Sequence, residues 1–321
     1  ILRGPQGLMY GADAGGIVNI TSYTPQDNFG GEISAEGGRY DTRSLNANLG
    51  GKNETGDFSL SAADHQTDGF NSRDDDILLA DDDGYENTTL HARAGWNATD
   101  RVRLQLTLRD VDADHDYDGC YNDAFDKVNL CTNTFEQSGG RAAVEYRGDR
   151  LTHTLAGSYT ETDREFFTEG QITFGGYGEL EKYEYLGSFK ANEGTTLVYG
   201  ADLKREAMDS SGSKLERDQT GVYLEYQGSF SEQLYLTAGA RYDDNDDFGD
   251  FTSFRLSAAY LVETSNGTVK LKSSYGTGFR PPSLFEISYN EQLRPWLPVQ
   301  PEFEPLTEED SQGLDIGIEY F

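Results

Sequence analysis

The stretch RVRLQLTLRD, residues 101–110, alternates strictly between apolar and polar side chains. Val102, Leu104, Leu106 and Leu108 fall on one side of an extended chain, and the polar residues between them fall on the other. Successive side chains of a β-strand point to opposite faces of its sheet. This period of two therefore predicts a strand with one apolar and one polar face.

The same period recurs from residue 31 to residue 321 and predicts about fourteen strands. The clearest repeats lie at residues 45–49, 90–96, 142–146, 197–203, 222–226 and 254–262. Short polar turns alternate with longer polar connections, which we expect at residues 67–87, 110–136 and 243–252. No segment shows a convincing helical period, so the sequence predicts an all-β, antiparallel fold.

Long connections gathered at one end are typical of a transmembrane β-barrel, which has an apolar outer wall and a polar inner wall. Such a fold explains how a chain that is 36% hydrophobic, with a formal net charge of -31, can cross a membrane. Its 20 tyrosines and 17 phenylalanines argue against a disordered acidic chain. No run approaches the roughly 18 apolar residues of a transmembrane helix. A soluble all-β protein with solvated faces is the alternative.

Two cysteines, Cys120 and Cys131, stand in the segment CYNDAFDKVNLC. Zinc sites usually show closer cysteine spacing and further cysteine or histidine ligands nearby. The flanking aspartates and asparagines instead favour a small loop closed by a disulfide, with free thiols as the alternative. A disulfide implies an oxidising compartment, and closing so short a loop would stabilise it by roughly 3 kcal/mol.

The glycine-rich opening segment, LRGPQGLMYGADAGGIVNI at residues 2–20, resembles the end of the plug domain of TonB-dependent outer-membrane receptors. Residues 274–290 resemble a later barrel strand of that family, and residues 303–319 resemble the stretch that follows it. The residues that match the plug signature are Arg3, Gly4, Pro5, Tyr10, Gly11, Gly15, Gly16 and Asn19.

The resemblance implies a plug folded inside an antiparallel transmembrane barrel of about 22 strands. Residues 1–25 would be the C-terminal end of the plug, and residues 26–321 would supply about fourteen barrel strands. Because an open sheet edge is not viable in lipid, we expect the chain to be a fragment that lacks most of the plug and the last strands. Family members bury plug arginines against wall acids, which suggests a contact between Arg3 and Asp315. The alternative is that Arg3 is simply hydrated.

Two acidic segments stand out in the expected long connections. The first contains DDDGY at residues 81–85. The second places an aspartate at every second position, so that an unbroken strand would carry all of them on one face: Asp110, Asp112, Asp114, Asp116 and Asp118. Part of this segment is similar to an EF-hand loop, but Phe125 occupies the twelfth position, where an EF-hand has glutamate. Carboxylate clusters of this kind favour calcium over softer metals.

The cobalamin (vitamin B12) receptors of the family carry a D-x-D-G-[FY] motif and, in the next long loop, a Y-D motif. Calcium binds between those loops and orders them around the ligand. The resemblance therefore implies structural calcium, although Asn71 stands where another calcium-ligating aspartate is expected. Alternatively, the acids merely solvate the loops and bridge to lipopolysaccharide through divalent ions. The implied calcium ligands are Asp81, Asp83, Asp116 and Asp118.

The resemblance also implies a location, a function and a set of partners. The protein would lie in the outer membrane of a Gram-negative bacterium, in contact with the lipid bilayer and lipopolysaccharide. It would import a scarce nutrient, with cobalamin as the first candidate, driven by the TonB-ExbB-ExbD complex through an N-terminal TonB box. A ferric siderophore is the second ligand, because acidic loops disfavour anionic ferric complexes. The acidic excess also argues against nucleic acid, whose phosphates attract lysine and arginine.

Two other classes of function are weaker. A passive porin has no need of the plug signature. An enzyme would need a catalytic constellation, and His115 between Asp114 and Asp116 is the best acid–base candidate among His65, His91, His115 and His153. Neither a G-x-S-x-G elbow nor a telling Ser–His spacing is present. We therefore predict that the protein is not an enzyme.

Overall fold

The computed structural model describes residues 2–3, 8–9, 11, 16–17, 24–25, 28–71, 73, 81–210, 212–293 and 306–321. Fourteen strands form one antiparallel sheet, as the alternation predicts. The sheet strands are β3 (Gly30–Gly37), β4 (Arg43–Lys52), β5 (Gly56–Phe70), β6 (Asp83–Asn97), β7 (Val102–Tyr117), β10 (Cys131–Arg147), β11 (Leu151–Thr168), β12 (Gln171–Asn192), β13 (Thr195–Ser210), β14 (Ser213–Phe230), β15 (Leu234–Asn245), β16 (Gly249–Thr264), β17 (Gly267–Arg280) and β18 (Glu309–Tyr320).

Two short hairpins and one helix complete the described elements. They are the pair β1 (Leu2–Arg3) with β2 (Gly16–Ile17), the pair β8 (Cys120–Tyr121) with β9 (Lys127–Val128), and the helix α1 (Leu284–Leu293). Each sheet strand is hydrogen-bonded to its neighbours along the chain, and β7 pairs with β10 across the β8–β9 hairpin. Strands β3 and β18 are the two edges of the described sheet.

Residues in register on neighbouring strands share a face, and one face of the sheet is apolar. Leu106 on β7 lies opposite Ala94 on β6 and Ala142 on β10. We call this face outward, because its large apolar side chains are exposed and Leu8 contacts the opposite, inward face. The exposed outward side chains include Leu60, Leu90, Trp96, Leu106, Leu108, Val144, Leu155, Leu203, Leu224, Leu256, Ile316 and Ile318. This is the lipid-facing band that the alternation predicts.

Short turns join the strands at one end of the sheet and are fixed by local side chains. Asn53 Oδ1 accepts hydrogen bonds from the backbone N–H groups of Thr55 and Gly56, each at 2.9 Å. Thr99 Oγ1 accepts in the same way from Arg101 at 3.2 Å and from Val102 at 3.0 Å. Such Asx and Ser/Thr turns are typical of tight connections.

At the other end, two of the expected long connections are shorter than predicted. Strand β7 runs on to Tyr117 and β10 begins at Cys131, so most of residues 110–136 is strand. Likewise β15 reaches Asn245 and β16 begins at Gly249, which leaves a turn of residues 246–248. The hydrogen-bonded ladder continues past the apolar band, so polar sequence here does not mean a loop.

The prediction of no helix is wrong for α1, which lies inside the segment that resembles a barrel strand. Pro281 and Pro282 end β17, because proline cannot donate to the ladder. Ser283 Oγ then accepts the Glu286 N–H at 3.2 Å, while Glu286 Oε2 accepts the Ser283 N–H at 2.7 Å. This reciprocal pair is a capping box, and it starts the helix. No helix in the described ranges is long and apolar enough to cross a membrane.

Candidate functional site

The outward face beyond the apolar band is strongly acidic. On β7 the aspartates at 110, 112, 114 and 116 follow Leu104, Leu106 and Leu108 on the same face. Their partners on neighbouring strands extend this surface, which we call the acidic belt. It comprises Asp64, Glu86, Asp110, Asp112, Asp114, Asp116, Glu136, Glu161, Asp163, Glu165, Glu179 and Glu181.

The inward face of the same strands carries basic as well as acidic side chains, and Glu184 on β12 pairs there with Arg141 and Lys182. It carries Arg109 on β7, Arg141 on β10, Arg164 on β11 and Lys182 on β12, each one position from the outward set. Many acidic side chains of these strands therefore point away from the barrel interior. The argument that acidic loops disfavour an anionic ligand does not apply to the aspartates on β7, because they do not face the interior.

Three of the four predicted calcium ligands meet where β6 begins and β7 ends. The Asp116 carboxylate accepts a hydrogen bond from the Gly84 N–H, and a Cβ placed on Gly84 would lie 3.1 Å from Asp116 Oδ2. Partial burial raises the pKa of this carboxyl, which lies beyond the apolar band, and outweighs the hydrogen bond from Gly84 and the charge of His115, which lower the pKa. The charges of Asp81 and Asp83 raise the pKa further. These three carboxylates therefore influence one another.

Two features of this cluster bear on metal binding, one in favour and one against. In the described parts of the chain, the buried Oδ1 of Asp81 accepts no hydrogen bond, which leaves an oxygen suited to a hard cation. Yet the same parts contain no ready-made group of three or more histidine, cysteine or acidic side chains that could hold a metal ion. Asp118 follows β7, one residue before Gly119, which has a φ of 85°. Calcium at these residues stays a prediction.

Asn71 and Arg73 connect the two acidic segments. The Asn71 N–H donates to Asp82 Oδ1 at 3.2 Å, and Asn71 Oδ1 accepts the Arg73 N–H at 2.8 Å. Arg73 Nη1 then donates to Asn129 Oδ1 at 3.4 Å, in the loop between β9 and β10. Asn71, the departure from the cobalamin-receptor pattern, thus positions the backbone that carries Arg73.

A disulfide closes the loop between β7 and β10. Cys120 and Cys131 are bonded, with Cα atoms 6.0 Å apart. Between them the β8–β9 hairpin turns at Phe125, which has a φ of 61° and is 87% exposed. Asn122 Oδ1 accepts hydrogen bonds from the N–H groups of Ala124 and Asp126, each at 3.0 Å.

A row of rings that the sequence reasoning missed crosses the inward face at the same end of the sheet. Successive ring centroids lie 5.7 to 6.3 Å apart. We call it the aromatic row: His65, Tyr85, His115, Tyr117, Phe166, Phe174, Phe285 and Tyr289. The Arg164 guanidinium lies 4.8 Å from the Phe166 ring centroid. Most of these rings occupy polar-face positions of the alternating pattern, and this placement could have predicted an aromatic surface on the inward face.

The aromatic row also explains His115. Its ring stacks with Tyr117, and Asn133 Nδ2 lies 3.4 Å from its Nδ1. Asp114 and Asp116 point to the opposite face of β7. The acid–base pair considered from the sequence is therefore not assembled.

A second missed site, which we call the wall cluster, lies on the inward face of β13, β14 and β15. Arg241 is 1% exposed and Asp243 is fully buried. Arg241 donates to both oxygens of Asp202, at 2.7 and 3.0 Å, and to Asp243, at 2.7 to 3.0 Å. Its remaining N–H donates to the Leu8 carbonyl oxygen at 3.2 Å. All five guanidinium donors are satisfied.

The plug signature falls mostly outside the described residues. Gly4, Pro5, Tyr10, Gly15 and Asn19 lie there, as does the side chain of Arg3. The Arg3 backbone pairs with Gly16, and Gly11 has a φ of 133°.

The proposed partner of Arg3 is within the described part. Asp315 lies on the inward face of β18, opposite Ser274, whose hydroxyl is 3.5 Å from Asp315 Oδ2. The contact between Arg3 and Asp315 stays a prediction.

The chain belongs to the TonB-dependent receptor-like β-barrel family, whose sequence profile matches residues 18–321. This family membership means an antiparallel barrel in the outer membrane of a Gram-negative bacterium, and its members are receptors and transporters rather than enzymes. The match begins within the predicted plug, and the sheet begins at Gly30. The domain boundary near residue 25 therefore stays a prediction.

Two curated relatives are named vitamin B12 transporter BtuB. The one from Photobacterium profundum is 26% identical over 326 residues, covering 99% of this chain and 50% of the relative. The one from Vibrio vulnificus is 25% identical over 310 residues, covering 92% and 49%. The chain thus spans about half the length of these relatives. Among solved structures, the ferric enterobactin receptor PfeA of Pseudomonas aeruginosa has a TM-score of 0.79 at 16% identity, covering 99% of this chain and 55% of that one.

Proposed function

We propose that the full-length protein is a TonB-dependent transporter that binds cobalamin at the end of the barrel with the long connections and imports it. The observation that carries this proposal is the similarity to vitamin B12 transporters along 99% of the chain. Import would use a plug formed in part by residues 1–25 and energy from the TonB-ExbB-ExbD complex. The aromatic row offers an apolar inward surface at that end for a large ring-shaped ligand.

Calcium is the second part of the proposal. Asp81, Asp83, Asp116 and Asp118 would supply oxygen ligands, and calcium would offset the mutual repulsion of their charges. The hydrogen bond from Gly84 to Asp116 and the unused oxygen of Asp81 support this assignment. Binding would order the segment that enters β6 against the end of β7, because the ligands come from both.

Equilibrium binding of cyanocobalamin to the full-length protein in detergent, with calcium and with chelator, tests both parts. Tight binding that weakens sharply in chelator supports both the ligand and the calcium. Tight binding that is indifferent to chelator supports cobalamin and removes calcium. Absence of binding in both conditions rejects cobalamin.

A ferric siderophore is the alternative ligand, and a specific observation favours it. The inward face carries Arg164 over the Phe166 ring, and Arg109 and Lys182 lie on the same face of neighbouring strands, several residues closer to the apolar band. Guanidinium and ring surfaces together suit an anionic aromatic ligand. A competition between ferric enterobactin and cyanocobalamin, repeated in Arg164→Gln, separates the two. Binding of ferric enterobactin that is lost in Arg164→Gln would support the alternative. Binding of cyanocobalamin without any binding of ferric enterobactin would reject it.

A further inference from the structure

We propose that the wall cluster and Gly239 form a socket that holds Leu8 on the inward wall, and that Leu8 leaves this socket when the plug moves. Leu8 is 4% exposed, and its carbonyl accepts a hydrogen bond from Arg241 at 3.2 Å. A Cβ on Gly239 would lie 2.6 Å from Leu8 Cδ1. The wall therefore contacts both the backbone and the side chain of one residue in the opening segment.

The socket depends on a residue that has no side chain. Gly221 on β14 lies in register between Asp202 on β13 and Asp243 on β15. A Cβ at Gly221 would lie 1.8 Å from Arg241 Nη2. Because this position is empty, the guanidinium lies flat across β14 and reaches carboxylates on both sides. Gln219 Nε2 also donates to Asp243 Oδ1 at 3.0 Å, which fixes that carboxylate.

The wall half of the socket is independent of Leu8. Four of the five Arg241 donors bind Asp202 and Asp243, which belong to the sheet. Charge-assisted, bidentate hydrogen bonds of this kind are the strong ones. Among the described residues, Leu8 meets the wall through one hydrogen bond to its carbonyl and through the contact of its side chain at Gly239. Loss of Leu8 would therefore leave the wall cluster intact, which is what a releasable contact requires.

Space for movement lies beside the socket. A cavity of about 110 Å³ is lined by Met9, Arg141, Asp202 and Tyr223, among others. Met9, which lines this cavity, follows Leu8 in the chain, and the other lining residues belong to the same inward wall. The cavity thus offers space into which Met9, the neighbour of Leu8, can shift without first displacing a strand.

The movement of Leu8 rests on the proposed transport function, but the holding of Leu8 does not. Planar-bilayer conductance of the full-length protein tests the holding alone. We expect Leu8→Ala to increase the open time of the barrel about tenfold or more. Deleting a buried leucine side chain removes apolar contact and leaves a cavity, which would weaken the hold of the wall on the opening segment. Leu256→Ala removes the same atoms from the outward face of β16 and is the matched control. Equal open times in the two variants would overturn the socket.

A reversible tether tests the release. Leu8→Cys combined with Gly239→Cys would join the segment to the wall, in a protein whose native cysteines are replaced by Cys120→Ser and Cys131→Ser. We expect the oxidised protein to bind cyanocobalamin but not to import it, and reduction to restore import. Equal import by the oxidised and reduced forms would overturn release from the socket. Absence of import by the wild-type protein, which keeps Cys120 and Cys131, would instead reject the proposed function, and the conductance result would still decide the holding.

Discussion

His115 and Asp116 are neighbours in the chain but serve opposite faces of β7. The His115 ring lies in the aromatic row, against Tyr85 and Tyr117, while the Asp116 carboxylate accepts the Gly84 N–H on the outward side. Side chains alternate along a strand, so the end of one strand contributes to an inward aromatic surface and to an outward acidic cluster. Substitutions at these two positions should therefore have separable effects.

Asp116→Asn should weaken calcium binding to the full-length protein by roughly tenfold or more, because calcium affinity depends on the number of charged ligands. Asp112→Asn removes the same charge from the same face of β7, farther from Gly84, and is the control. Isothermal titration calorimetry of calcium into the chelator-treated protein makes the comparison. Equal affinities in the two variants would count against a site at Asp116 and favour diffuse attraction of cations to the acidic belt.

Helix α1 should lose stability in acid, beginning at its first turn. Hydrogen bonds from Ser283 and then Arg280 lower the pKa of Glu286 to about 2. Because the folded-state pKa is below the ordinary value of 4.5, the charged carboxylate stabilises the helix above that value, and this contribution is lost as pH falls from 4.5 towards 2. Hydrogen-exchange protection of residues 284–293, corrected for intrinsic rates, measures the loss.

Ser283→Ala should cost the helix about 1 kcal/mol at neutral pH, since it removes the N-cap hydroxyl. It should also flatten the acid dependence of protection. Glu291→Gln, in the same helix but outside the capping box, should leave both unchanged. An acid profile that is the same in all three proteins would mean that other carboxylates govern the helix.

Local patterns predicted the strands, but features that depend on register could not be predicted. The alternation through Leu104, Leu106 and Leu108 is sufficient to define β7. Continuing this alternation to Asp110 would also have predicted that the β7 aspartates face outward, because they occupy even-numbered positions like the three leucines. The capping box at Ser283 was equally visible, but the resemblance of that segment to a strand obscured it.

The wall cluster is a different case. It brings together Asp202, Gly221 and Arg241 from three strands, and nothing in their spacing sets the register that aligns them. The cluster is assembled by two successive pairings of long strands. A single sequence predicts which face of each strand is apolar. It does not predict the register between strands, and so it does not show which polar residues become neighbours.

Reducing the disulfide should loosen the β8–β9 hairpin and leave the sheet unchanged. Closing a loop of this length stabilises it by roughly 3 kcal/mol in the chain-entropy description. We therefore expect faster proteolysis within residues 118–130 of the Cys120→Ser, Cys131→Ser protein, while strand β10 keeps its protection. Peptide mapping without reductant checks that the parent holds the bond. Equal cleavage rates would show that the hairpin is held by its own hydrogen bonds, such as those to Asn122.

The two faces of β7 should lose different amounts of stability on the same substitution. Leu106 is 44% exposed on the outward face, within the apolar band, whereas Thr107 faces inward. Arginine near the middle of a lipid-facing wall costs about 2 to 4 kcal/mol, so Leu106→Arg should lower the unfolding free energy of the full-length barrel by that amount. Thr107→Arg adds the same group to the polar interior and should cost far less. Denaturant unfolding in lipid vesicles measures both variants, and a larger loss for Thr107→Arg would reverse the assignment of the faces.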